Sequence, residues 1–321
     1  MMRKLNKNEF NLLNSDLKPM EEFFRINGLE SESYIKKYNR NLSISAMTQQ
    51  ELGGANGIIK KNNGKFIIGL SEDIFGENRK RARALYHELG HLLMGLNYSD
   101  ERVTNIILNQ IVKTKKENRV ELKEEEGVYL DGLKLLEEYL VEKFSLGMMV
   151  MAKRIPEPPK VSLKTPPISG DYSYYSSFDT NYGIFESLCD KFVGKTYGNL
   201  TNSIKAGLSE KFFTGFFEKY DNIELMKILG NLGHIKRAIY AYAGQNQYQY
   251  NPEQIHRILD DTNELVDNIQ TRSQSHHINP EDISNAGRNV LHNNPGALSS
   301  GMRKSHGLFS RIFNRTKSQE K

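Results

Sequence analysis

One cysteine, Cys189, stands in 321 residues, and there is no tryptophan. A single thiol cannot close an intrachain disulfide, so nothing in the chain asks for an oxidising compartment. Long hydrophobic runs are missing too: no stretch approaches the roughly 18 apolar residues of a membrane span. The N-terminus, MMRKLNKNEFNLLNSDLKPMEEFF, lacks the apolar centre of a secretory signal. These absences lead to the expectation of a soluble cytoplasmic protein with no membrane span, although a specialised secretion route would leave no readable sign. An excess of one charge sign is also absent from most of the chain. The net charge is +5, and residues 271–321 hold 8 Lys+Arg against 3 Asp+Glu, so the remainder is balanced. No general attraction for nucleic acid is therefore expected of the body.

What is present is a chain with 38% hydrophobic and 26% charged residues, in the range of globular proteins. Residues 1–40 read as a charged helical segment, with apolar residues three to four apart in EEFFRI and SYIKKY. GIIK and KFIIGL are short β-rich runs flanking KNNG, the pattern of a hairpin. ENRKRARALYHELGHLLMGL has helical spacing, and Gly95 is the candidate C-terminal end. DGLKLLEEYLVEKFSLGMMVM is strongly helical in composition. Five prolines crowd IPEPPKVSLKTPPISGDYS, which reads as a linker or a long surface excursion. Helical patterns then resume to about residue 270. Residues 271–321, rich in Ser, Asn, Gly and His, have little to bury and are expected to be disordered. The mildly amphipathic end LFSRIFNRTK is where a partner or an anionic surface would touch, a frayed tail being the competing reading.

Residues 84–95, ALYHELGHLLMG, carry the sharpest signal. Side chains at i and i+4 share a helix face, so His87 and His91 can aim their imidazoles at one point. Zinc takes such nitrogens at about 2.0–2.1 Å. Glu88, offset by one position, would address the metal's water, accepting a proton and passing it to a leaving amine. This is the HExxH pattern, here HELGH. The neighbours Leu85, Leu89, Leu92, Leu93 and Met94 make the helix mostly apolar. Burying two imidazoles and a carboxylate there with no partner would cost several kcal/mol, a difficulty that a cation removes. A catalytic zinc wants a third protein ligand. The extended HExxHxxGxxH form fails, because Met94 and Asn97 stand where it needs glycine and histidine. LLEEYLVEKFS offers Glu137, Glu138 and Glu142 instead.

HELGH followed by LEEYLVE resembles the zincin metallopeptidases whose third ligand is a glutamate, the gluzincins. Many of them carry a segment of the form N/D-E-x-x-x-D/E. The resemblance implies Glu138 as third ligand and Glu142, one turn on, as the carboxylate behind it that orients a ligand histidine. Glu138 and Glu142 share a helix face, and a carboxylate accepting from a ligand's other N–H fixes its tautomer. Glu137 points about 100° away and is expected to be solvated. KFIIGLSEDIFGENRKRARALYHELGHLLMG also resembles the strand, arginine-rich lead-in and HELGH helix of the ImmA/IrrE regulatory proteases. That family follows with Glu-x-x-Ala-x-x-Phe-Ala, where Val141 and Ser145 stand here in place of the alanines. The two resemblances cover residues 63–145.

By the same resemblance, an edge strand before the active helix would receive an extended peptide, with KFIIGL or a neighbour as the platform. A Tyr or His from the C-terminal helical part is expected to stabilise the oxyanion, with Tyr175 and His234 as candidates. The fold expected is α+β: a zincin-like core with a small, mostly antiparallel sheet, the HELGH helix and a Glu-ligand helix, plus a mainly helical C-terminal subdomain. Its expected divisions are 1–40, 41–155 (core), 156–172 (Pro-rich linker), 173–270 and 271–321. The function expected is a zinc metallopeptidase acting on a peptide or protein substrate. Two alternatives stand beside it: a regulatory protease with one dedicated protein substrate, and a non-catalytic, zinc-stabilised binding protein. Cys189, in the apolar run FESLCDKF, reads as core.

Overall fold

The computed structural model describes residues 3–29, 41–63, 65–93, 108–109, 111–113, 116, 126–154, 182–208, 212–243 and 252–268. The Pro-rich segment at 156–172, Tyr175 and the basic tail lie outside the described residues.

Helix α1 (Lys7–Ile26) opens on a reciprocal cap. The Asn6 side chain accepts the Glu9 N–H, and the Glu9 carboxylate accepts the Asn6 N–H, both at 2.9 Å. Three strands follow: β1 (Leu42–Met47), β2 (Gly57–Asn62) and β3 (Lys65–Ser71). The expected hairpin is present as β2–β3, paired antiparallel, with Asn63 at φ 48° in the left-handed region that asparagine tolerates. The sheet order is β1-β3-β2, and β1 runs parallel to β3. The sheet is therefore mixed, which corrects the expectation of a mostly antiparallel one. The reason lies in composition. In KFIIGLS every residue after Lys65 except Ile67 is buried, so β3 takes the centre, while GIIKKN with its two lysines suits an edge. The outer edge of β1 is met by Arg3, whose N–H and C=O both bond Ala46, at 3.1 and 3.2 Å.

The remaining described elements are helical: a 3-10 turn at Glu72–Ile74, then α2 (Asn78–Leu93), α3 (Glu126–Met151), α4 (Tyr182–Tyr197), α5 (Leu200–Leu208), α6 (Phe212–Lys219), α7 (Asn222–Ala243) and α8 (Pro252–Asn268). The class is α+β, mostly helical around a small three-stranded sheet. Helix α3 is the axis. It packs on α2 along one side and on α7 along another. The α3–α7 approach is close because glycines meet backbone: a Cβ on Gly132 would lie 2.0 Å from the Leu229 carbonyl oxygen, and one on Gly233 would lie 2.0 Å from that of Val128. A single buried cluster runs from Leu13 in α1 to Val266 in α8, crossing the line drawn at the Pro-rich segment. No helix among the described residues is long and apolar enough to cross a membrane.

Candidate metal centre

Helix α2 is tied down before its histidines begin. Arg81, 1% exposed, gives its Nε to the fully buried Asp16 carboxylate of α1 at 2.8 Å. A second nitrogen reaches the Phe75 carbonyl and a third Asn78 Oδ1. Tyr86 donates its hydroxyl to the Asp16 carbonyl at 2.6 Å, and Arg154 closes on the other Asp16 oxygen at 2.8 Å. A buried ion pair survives only when its remaining hydrogen-bonding groups are satisfied, and here nearly all are. Among the described residues the exception is Arg154 Nε, which has no hydrogen-bond partner. Gly90 sets the other contact. A Cβ there would press on Val141 at 3.0 Å and on Phe144 at 3.2 Å, so its absence lets α2 lie close on α3.

That approach brings His87, His91 and Glu138 together, each offering one donor atom within 4.8 Å of the others. The two Nε2 atoms are 3.2 Å apart. His87 Nε2 is 3.4 Å from Glu138 Oε2, and His91 Nε2 is 3.7 Å from Glu138 Oε1. Two nitrogens and a carboxylate oxygen within this span could hold a metal ion.

Behind the donors stand two more carboxylates. Glu142 Oε2 lies 3.4 Å from His87 Nδ1, and its Oε1 lies 2.5 Å from the Arg83 guanidinium. Glu137 Oε1 lies 2.6 Å from His91 Nδ1. Glu137 is 0% exposed, which overturns the expectation of a solvated side chain. The expectation assumed that a direction 100° from Glu138 faces water. At this level the partly exposed positions of α3 are Lys134, Glu138 and Lys143, while Leu133, Leu136, Leu140, Val141 and Phe144 are buried, so the Glu137 direction faces packed neighbours and not water.

Glu88 points to the sheet. Its carboxylate lies under β2, where a Cβ on Gly57 would come within 2.9 Å of Oε1, and it takes a hydrogen bond from the backbone of Ile59. Because β3 is central, β2 is the strand that borders this helix on an edge, not KFIIGL. His234 sits beside Gly233, whose neighbour across the helix contact is Val128, ten residues and about 15 Å of helix before Glu138. The structure does not join it to the cluster. Tyr175 lies outside the described residues.

With the protein's own charges alone, the cluster carries a surplus of carboxylates. Burial pushes Glu88 up to about 7, and Glu138 adds to this while His87 opposes it. Burial and then the neighbouring Glu138 drive Glu137 well above the carboxylate range. Burial also acts against charge on His87, but Glu138, Glu142 and Glu88 outweigh it and raise the imidazole to about 10. Burial lowers His91 to about 4. Glu138 stays below its ordinary value because the two imidazoles outweigh its burial. His87 thus holds its proton among four carboxyl groups, of which Glu88 and Glu137 are driven toward the neutral form by burial. Glu137 Oε2 is buried with no hydrogen-bond partner among the described residues. A divalent cation at the donor set would answer the surplus of carboxylates; Glu137 lies behind His91 and is not one of the donors.

Comparison of the chain with protein-family models, with curated proteins and with solved structures finds no match in any of the three.

Proposed function

We propose that this chain is a zinc metallopeptidase of the glutamate-ligand zincin type, with His87, His91 and Glu138 as metal ligands and Glu88 as general base. The observation that carries the reading is the convergence of both Nε2 atoms and the Glu138 carboxylate within 4.8 Å, on two helices far apart in sequence. Bound there, zinc would polarise a scissile carbonyl and lower the pKa of a bound water. The protein's own groups do the rest. Glu137 and Glu142 stand at the Nδ1 sides of His91 and His87, at 2.6 and 3.4 Å, and as ionised acceptors there would leave each Nε2 lone pair for the metal. Glu88, raised to about 7 by burial, has the basicity to take a proton near neutral pH and return it to the leaving amine. The edge of β2 offers main-chain groups beside Glu88 to an extended peptide.

The test is a pair of measurements on Glu88→Gln. Metal analysis should return one zinc per chain, as for the parent, because Glu88 is not a ligand. Proteomics of cells expressing either form should find cleavage products only with the parent. Removal of the base should slow cleavage by about two to four powers of ten. Cleavage by Glu88→Gln at the parental rate, or a parent that binds no zinc, sinks the proposal.

A further inference from the structure

We infer that Arg83 is a positioning residue for the metal site, acting on His87 through Glu142; the inference rests on the metal-site reading above. Arg83 and His87 are four apart on α2 and so share a face. Both address one carboxylate on α3. Arg83 holds Glu142 Oε1 at 2.5 Å, and Glu142 Oε2 lies 3.4 Å from His87 Nδ1. The Glu142 side chain is 7% exposed and that of Arg83 19% exposed. The chain guanidinium–carboxylate–imidazole thus closes a loop between the two helices that supply the metal donors.

The charge balance explains why the guanidinium is there. Glu142 is buried, and Glu138 lies near enough for the two carboxylates to repel. An imidazole alone is a weak reason for a buried carboxylate to stay in one rotamer. Arg83 supplies a fixed cation on the side away from the metal donors. It occupies one oxygen and so turns the other toward His87. Ser145 pins the same spot, its hydroxyl donating to the Arg83 carbonyl at 3.2 Å. His91 has no such arrangement: its partner Glu137 has a second oxygen without a hydrogen bond among the described residues. The two histidines are therefore oriented unequally, His87 by an anchored carboxylate and His91 by an unanchored one.

The experiment is a double-mutant cycle read as zinc affinity, by competition with a chromophoric chelator, and as the visible absorption of the cobalt-substituted protein. Arg83→Met keeps the apolar stem of the side chain and removes its charge. It should weaken zinc by about 10- to 100-fold, the range for residues behind a ligand, and shift the cobalt bands. In the Glu142→Gln background, where the carboxylate is already gone, Arg83→Met should cause no further loss. Parental affinity and cobalt spectrum in Arg83→Met would overturn the inference, as would losses that simply multiply across the cycle. If Arg83→Met does not fold, Arg83→Lys serves: it retains charge without the fork and should lose affinity to a smaller degree. His87→Ala separates the two readings. If the parent binds zinc and His87→Ala does not, the metal site stands whatever Arg83 does; if the parent binds none, both fall.

Discussion

Glu137 and Glu138 are adjacent in the chain and behave as opposites. One is 0% exposed and held well above the carboxylate range by burial; the other faces two imidazoles and is held below it. Glu137→Gln should keep a hydrogen-bond partner for His91 and weaken zinc modestly, whereas Glu137→Leu should weaken it about 10- to 100-fold, both measurable by chelator competition. The pH dependence of binding follows from His87. Burial opposes charge on its imidazole, but Glu138, Glu142 and Glu88 raise it to about 10, so a metal bound there at neutral pH would have to displace a proton. Affinity should rise as pH rises from 6 to 8, and calorimetry in buffers of differing ionisation heat should show protons released on binding. An affinity flat across that range would mean that His87 is not a ligand.

Between elements, the site depends on how closely two helices lie. Gly90 is the contact of α2 on α3, and a Cβ there has 3.0 Å to Val141 and 3.2 Å to Phe144. Gly90→Val should force the helices apart and cost about 1–3 kcal/mol by urea unfolding, with zinc binding lost before the fold is. The Asp16–Arg81 pair fixes the same helix from the α1 side at 2.8 Å, with both side chains 1% exposed or less. Asp16→Ala leaves a buried guanidinium unpaired and should cost about 3–5 kcal/mol, a loss that a urea titration would read directly.

For the whole molecule, the α3–α7 junction is clamped by Asp131, which takes Lys236 at 2.8 Å and Arg237 at 2.9 Å. Burial would raise the Asp131 carboxyl, but the two cations outweigh it and hold it below 3.8. A lowered folded value means that this stabilisation is fully present above the ordinary value of 3.8 and is lost as pH falls through the lower, folded one. Asp131→Asn should remove on the order of 1 kcal/mol at pH 7 and flatten the acid limb of the stability curve below about pH 4. An acid limb identical to the parent's would show that Asp131 carries none of it.

The periods of the sequence determined the α2 helix, the β2–β3 hairpin and the long α3 helix, because alternation and i,i+4 spacing are local properties. HELGH and the glutamates of LEEYLVE were visible for the same reason, with each pair's shared face following from helix geometry alone. Strand order was not local. It was decided by which strand could be buried on both faces, and that put KFIIGL in the centre and GIIKKN on the edge beside α2. Nor was the environment of Glu137. Spacing along one helix does not say which of its sides another helix covers, and only the packing of α2 on α3 gives the Glu137 carboxylate to His91. Arg83 belongs with it: its place on α2 is set by spacing, but its partner Glu142 comes from another helix, 59 residues on, and only tertiary contact joins them.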